Sequence, residues 1–357
     1  MIVDLEGNDA HGVDGAEPAS FGAGHLGYGL LWDVAGDDTY RAEANSLASS
    51  CLGVGILNDE AGDDRYQSVY LAQASAQLGL ALLRDGAGAD RYETYRESQG
   101  AAGYRGAALL LDLDGDDRYE AKRSPVKFPA AQNPKYNSSM SQGCGRGVPN
   151  GAVPLHETYA GGVGMLADLG GADEYQGGVF AQGVGYWFGV GIFIEAEGQD
   201  QYDTVWYGQG AAAHFAAGLY LDRAGNDSYH CLQDQCVGNG RDYSVGFHID
   251  ELGDDVRVAG GGQSMGVGAN GGSGFCWDQA GVDSYQSDYY DGIGQAYDDT
   301  GASADVMITL GFFADQGGQK DIYVNPLGES ADDSLWVQVG QDDDGDEKHV
   351  LAVGSDL

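Results

Sequence analysis

The sequence predicts an all-β fold, a parallel β-solenoid (β-helix) of about ten coils of roughly 27 residues each. Three observations predict it. A unit built on Asp-x-x-Gly-x-Asp-x-Tyr recurs along the chain. Small and large apolar positions recur at fixed offsets before it. Glycine is very abundant, at 61 residues against 7 prolines, yet shows no collagen period. A helical repeat of this length would need long apolar stripes of period 3.6, which such glycine density opposes.

The first Asp of each unit is its anchor, position zero: Asp33, Asp59, Asp85, Asp112, Asp168, Glu195, Asp222, Asp250, Asp278 and Asp315, with a partial unit at Asp4. Glycine stands at +3 (Gly36 to Gly318), a second Asp at +5 (Asp38, Asp64, Asp90 and onward) and Tyr at +7 (Tyr40, Tyr66, Tyr92 and onward). The unit at Asp250 carries Arg257 in place of Tyr. Upstream, position −4 is always Gly or Ala and −3 is large and apolar, from Leu30 to Phe312. A Gln recurs near −13, at Gln73, Gln99, Gln182 and Gln209, and with small shifts at Gln235 and Gln263.

This reads as a short strand ending in a tight turn. Positions −5 and −3 form its buried face, and Gly at +3 suits a turn with positive φ. Identical positions of successive coils stack about 4.8 Å apart, so Gln becomes an amide ladder and Tyr an aromatic stack. Position −2 is also apolar (Leu31, Leu57, Leu83, Leu110, Leu166, Phe193), so its face is expected to be covered by another segment or by self-association with a second chain. The domain reading is one solenoid over 1–335 with an inserted loop at 120–159, followed by a cap or tail over 336–357 that protects the last strand.

Charge narrows the partners. Lys and Arg total 17 against 56 Asp and Glu, a formal charge of −39. Nucleic acid and anionic membrane surfaces are thereby excluded as natural partners, and divalent cations are the natural complement. No apolar run is long enough for a membrane span. The five cysteines, Cys51, Cys144, Cys231, Cys236 and Cys276, show neither a disulfide framework nor a zinc spacing. Met1 is followed at once by the repeat, so the natural start is expected upstream, and the protein is expected outside the cell or at its surface.

Stacked Asp columns are the first candidate chemistry. Like charges about 4.8 Å apart repel by roughly 3 kcal/mol per pair at an effective dielectric of about 20. Calcium, which takes several carboxylate oxygens in flexible geometry, would offset that. The Asp-Asp pairs Asp37 and Asp38, Asp63 and Asp64, Asp116 and Asp117, and Asp254 and Asp255 offer the most ligands. The alternative is that each Asp caps its own turn by accepting backbone N–H bonds.

The second candidate lies where columns break. Position −8 places His214 and Asp242 on adjacent coils, at a spacing that suits an imidazole–carboxylate hydrogen bond, with Ser244 two residues on. That is a candidate general base oriented by an acid, or a structural polar pair. The insertion holds Lys122, Arg123, Lys127, Lys135 and Arg146; these either grip an acidic polysaccharide or neutralise the acidic coils beneath. Trp206 and Tyr207, before the Gln column, either stack on sugar rings or cover a corner of the coil.

In coil length and ladder columns, residues 20 to 325 resemble the right-handed parallel β-helix superfamily that includes the pectate lyases. The Gly-x-Asp turns resemble those of the repeats-in-toxin calcium β-rolls, although one such turn occurs here per 27 residues rather than per nine. These resemblances imply two functions. One is a secreted or surface-displayed calcium-binding solenoid with a structural or adhesive role. The other is a carbohydrate-active β-helix enzyme, a polysaccharide lyase or hydrolase, using the insertion and the His214/Asp242 face, with Lys135, Arg146, Trp206 and Tyr207 on substrate.

Overall fold

A computed structural model describes residues 1–12, 20–149, 160–289, 292–297, 308–317, 321–325, 328–329, 335–341 and 347–356. The chain winds as a parallel β-solenoid with three long sheets. The first sheet holds the strands that end at each anchor, from Tyr28–Trp32 and Val54–Asn58 to Ser273–Asp278 and Thr309–Asp315. The second holds the Tyr column, from Thr39–Arg41 to Ile322–Asn325. The third consists of two- and three-residue strands such as Ser75–Gln77 and Ala212–Ala213. Equivalent repeat positions pair one above another, for example Leu82 with Ile56 and Leu109, and Tyr92 with Tyr66 and Tyr119. Strand Glu347–Asp356 adds to the first sheet beside Thr309–Asp315, and Leu335–Gln341 pairs with it antiparallel.

The inward face of the first sheet differs by one residue from the expected one. Leu31, Leu57, Leu83, Leu110, Leu166 and Phe193, all at −2, are fully buried, whereas −5 and −3 face outward. Because side chains alternate along a strand, a one-residue change of parity moves every side chain to the opposite face. Position −4 therefore points inward too, where Gly or Ala leaves room for the neighbouring corner. So does position zero: the anchor carboxylates of Asp59, Asp85, Asp112 and Asp168 are buried in the coil's interior. Truncating Leu110→Ala is expected to lower the unfolding free energy by about 2–5 kcal/mol, measured by denaturant titration.

The +3 glycines serve both turn handedness and stacking: Gly36, Gly62, Gly171 and Gly253 have positive φ of 140–158°. At Gly115 an added Cβ would lie 1.7 Å from the carbonyl oxygen of Gly88 one coil below, so no larger residue fits. Non-glycine residues take left-handed backbone, φ 50–64°, at the corners, at Gln73, Gln99, Gln182 and Gln209 and at His214 and Asp242. The Gln side chains do not form a continuous amide ladder. Gln73 Nε2 donates to the carbonyls of Tyr66 and Glu93, and Gln99 Nε2 to that of Tyr92, so each amide satisfies backbone oxygens at its corner. An amide-to-amide bond joins Gln235 to Gln263 at 3.0 Å. The Tyr column is an aromatic stack: rings from Tyr40 to Tyr119 lie 4.6–4.8 Å apart and within 7° of parallel.

Part of the inserted segment belongs to the solenoid. Ser138–Ser141 pairs with Val179–Ala181, Gly145–Arg146 joins the third sheet, and Gln142 occupies the Gln column, its Nε2 donating to the carbonyls of Tyr119 and Gln176. Residues 150–159 of the expected insertion lie outside the described residues. Cys231 and Cys236, which the spacing left unassigned, are joined in a disulfide; Cys51, Cys144 and Cys276 are free.

Candidate functional site

Two ladders of carboxylates run through the interior between the first and second sheets. The anchor column enters from the first sheet and the +5 column from the turn that follows it. In the +5 column, Oδ1 of each Asp accepts the backbone N–H of its counterpart one coil below. Asp38 thus donates to Asp64, Asp64 to Asp90 and Asp90 to Asp117, all at 2.6 Å. Backbone capping therefore engages one oxygen of each +5 residue, but between coils rather than within its own turn. The second oxygen, Oδ2 of Asp38, Asp64, Asp90, Asp117, Asp173 and Asp227, is buried and has no hydrogen bond. It faces the anchors: Asp59, Asp64 and Asp85 bring carboxylate oxygens within 4.8 Å of one another, as do Asp85, Asp90 and Asp112, and Asp112, Asp117 and Asp168.

The Tyr hydroxyls sit in the same cleft. Tyr92 Oη lies 2.6 Å from Asp112 Oδ2 and 3.2 Å from Asp85 Oδ2, and Tyr119 Oη lies 2.7 Å from Asp168 and 3.0 Å from Asp112. A neutral hydroxyl donates one hydrogen bond and supplies no charge, so ionised carboxylates around it would stay uncompensated. Burial and mutual repulsion push the carboxyls up, Asp64 to about 9, Asp90 to about 10 and Asp117 to about 11. Either protons or a cation must supply the missing charge.

One coil supplies its own. Arg257 stands in the Tyr column, fully buried, with its guanidinium 4.8 Å from the Tyr229 ring centroid and 5.4 Å from that of Tyr285. It reaches Asp250 at 2.6 Å, Asp278 at 2.7 Å and Asp255 at 3.3 Å. Beneath it His248 replaces the usual apolar −2 residue. Burial, then the Arg257 charge, hold that imidazole well below its ordinary range, so it is neutral and its Nε2 accepts from Arg257 Nε at 3.4 Å.

The sequence-derived ligand pairs divide. Asp38, Asp64, Asp117 and Asp255 point into this interior, whereas Asp37, Asp63, Asp116 and Asp254 are exposed. The exposed set also bonds backbone of the neighbouring coil: Asp63 Oδ1 accepts the Ala89 N–H and Asp254 Oδ1 that of Val282. The anchors complete the clusters, and the residue pattern had not marked them as ligands. Their shared parity with buried −4 and −2 is the signal that finds them.

His214 and Asp242 meet as their column predicts, with His214 Nδ1 3.1 Å from Asp242 Oδ2. His214 also stacks on Trp187 at 4.2 Å. Burial works against the Asp242 charge, but hydrogen bonds from His214 and Asn270 and the charge of Arg241 outweigh it and hold this carboxyl below its usual range. Ser244 is buried, its Oγ accepting the Ala216 N–H at 3.0 Å, so its hydroxyl is engaged with backbone.

The described basic residues of the insertion mostly pair with coil acids. Lys122 meets Glu93 at 2.8 Å, Arg123 meets Asp203 at 2.7 Å and Arg146 meets Glu97 at 2.9 Å, while Lys127 lies over the Tyr95 ring. Lys135 is exposed. Arg146 lines a small recess with Gln77 and Met140, away from Trp206. Tyr207 is buried against Phe180, and Trp206 Nε1 donates to Gln235 Oε1 at 2.7 Å. Trp206 borders an open recess of about 560 Å³ with Gln233, Asp234, Gln263, Tyr289 and Tyr297. The insertion reaches this recess, since Asn133 Nδ2 donates to Gln233 Oε1 at 3.1 Å. Arg241 connects it to the −8 column, bonding Gln263 at 2.8 Å and lying 3.7 Å from Asp242.

In comparisons with protein-family models, curated proteins and solved structures, nothing matches the chain. The β-helix architecture itself is present; a specific kinship with pectate lyases or repeats-in-toxin proteins has no support from these comparisons.

Proposed function

We propose that the chain is an extracellular or cell-surface β-solenoid whose interior carboxylate columns bind calcium between coils, giving a rigid rod with a structural or adhesive role. The observation that carries this reading is Arg257. In the Asp250 coil a guanidinium takes the place of the Tyr hydroxyl and meets Asp250, Asp255 and Asp278 together. Among the described residues, the intervals that carry Tyr at that position have matching carboxylates and no cationic side chain there; the partial first unit places His11 there, stacked on Tyr40 and 3.3 Å from Asp33. The clusters from Asp33/Asp38/Asp59 to Asp112/Asp117/Asp168 offer carboxylate oxygens with Tyr hydroxyls beside them, an all-oxygen donor set that suits a hard divalent cation. The Cys231–Cys236 disulfide is in keeping with an oxidising compartment. Melting in millimolar calcium is expected to occur at least several degrees above melting in EGTA; identical curves would exclude a stabilising ion.

A second reading, a carbohydrate-active β-helix enzyme, is favoured by one arrangement. Asn133 of the insertion, the Trp206 recess and, through Arg241, the His214/Asp242 pair lie along one side of the solenoid. His214→Ala should then abolish cleavage of an acidic polysaccharide while leaving the melting curve intact. Wild-type protein inactive on a panel of polyuronates would remove this reading.

A further inference from the structure

The outward face of the first sheet is apolar over ten successive strands. Three positions of each strand point outward, −5, −3 and −1. Over the ten strands from Tyr28–Trp32 to Thr309–Asp315 this gives thirty side chains, of which only Asn58, Arg84 and Ser273 are not apolar. None is acidic, in a chain with 56 acidic residues. Leu80 is 56% exposed, Trp32 45% and Val163 43%. Arg84 turns to Glu60 at the rim, 3.3 Å away. Monomers rarely leave a patch of more than a few hundred Å² of this kind open to water.

We propose that this face docks against the same face of a second copy of the chain, forming a two-fold sandwich of parallel sheets. Two arguments select that occupant. The first is area. Ten coils at about 4.8 Å and five residues at about 3.3 Å make a strip of roughly 800 Å² per copy, the size of a standard stable interface. The second is charge. Two chains of formal charge −39 repel wherever their acidic turns approach. This acid-free sheet is a surface on which two copies meet without opposing carboxylates. Its outward columns stack in register, as Phe247 does on Phe275 at 4.8 Å, so two such faces can interdigitate as β-sandwich layers do, about 10 Å apart. The −2 column that the sequence suggested for this role is inside; the contact surface is the opposite face of the same strands.

Sedimentation velocity on the full chain in calcium buffer tests this. The expected mass is twice 37.3 kDa, about 75 kDa, at micromolar concentration, with tighter association at higher salt as the acidic rims are screened. Ile192→Glu combined with Phe247→Glu should give a monomer whose far-ultraviolet dichroism is unchanged. Should that variant fail to fold, the milder Ile192→Ser is expected to weaken the dimer at least tenfold. A wild-type monomer throughout the micromolar range overturns the proposal, whether it stays free or adsorbs to phosphatidylcholine vesicles. So does a folded double variant that remains dimeric.

Discussion

Replacing Arg257 by methionine is expected to destabilise the chain by about 3–5 kcal/mol in metal-free buffer, the cost of leaving buried charges without their partner. The guanidinium is fully buried, reaches three carboxylates within 3.3 Å and lies between two Tyr rings, so solvent cannot take its place. Methionine fills much of the volume but leaves Asp250, Asp255 and Asp278 facing one another. Arg257→Tyr should behave differently. It restores the stack between Tyr229 and Tyr285 and supplies a hydroxyl like that of Tyr229, which lies between Asp222 and Asp250, 2.9 and 2.8 Å from their Oδ2 atoms. That variant should be weak in EGTA and recover most of its stability in calcium, because its interval then matches the others. Guanidinium chloride titrations of both variants, with and without calcium, check this. A methionine variant as stable as wild type in EGTA would show that the carboxylates around Arg257 are neutral.

The second large effect is in pH. In EGTA, Asp64, Asp90 and Asp117 have folded-state values pushed up to about 9, 10 and 11, above the ordinary 3.8. The folded state therefore holds protons that the unfolded chain releases. Stability from these groups is fully present below about pH 4 and is lost as pH rises toward 9–11, at up to about 1.4 kcal/mol per proton per pH unit. Glu93 acts in the opposite sense. Burial opposes its charge, but Lys122 and its other partners hold it down at about 2, so its contribution is full above about pH 4.5 and is lost as pH falls toward 2. The metal-free protein should thus melt highest in mild acid and progressively lower from pH 5 to pH 9. Calcium should reverse that slope, since ions displace protons and bind better as pH rises. A metal-free melting temperature that rises from pH 5 to pH 9 would contradict the buried-carboxyl assignment.

Much of the fold was legible because a repeat is self-consistent. Anchor spacing, coil length, the Tyr stack and the meeting of His214 with Asp242 all follow from counting columns. The inward face did not follow, for a physical reason. Both faces of the first sheet are apolar, so alternation carries no contrast, and the inward −4 column is Gly or Ala, which reads as no face at all. That parity hid the anchors: Asp59 and Asp85 looked like turn residues and are interior ligand candidates. Adjacent pairs such as Asp63–Asp64 looked like the richest ligand sets, but neighbours in a turn diverge, and only Asp64 faces inward. Gln142 escaped the Gln column because the insertion displaced it, though Ser141-Gln142-Gly143 repeats Ser98-Gln99-Gly100. The Cys231–Cys236 bond was hidden because an odd, scattered set of five cysteines, with this pair five residues apart, matches no framework spacing.

The most direct measurement is a crystal structure from calcium-containing buffer, with anomalous data collected at long wavelength. Calcium peaks are expected between coils at the Asp59/Asp64/Asp85, Asp85/Asp90/Asp112 and Asp112/Asp117/Asp168 clusters, within about 2.3–2.6 Å of carboxylate oxygens, and none beside Arg257. Clusters without peaks, their carboxyls joined instead by short proton-sharing contacts, would contradict the cation-binding account and leave the ladders as a protonated core.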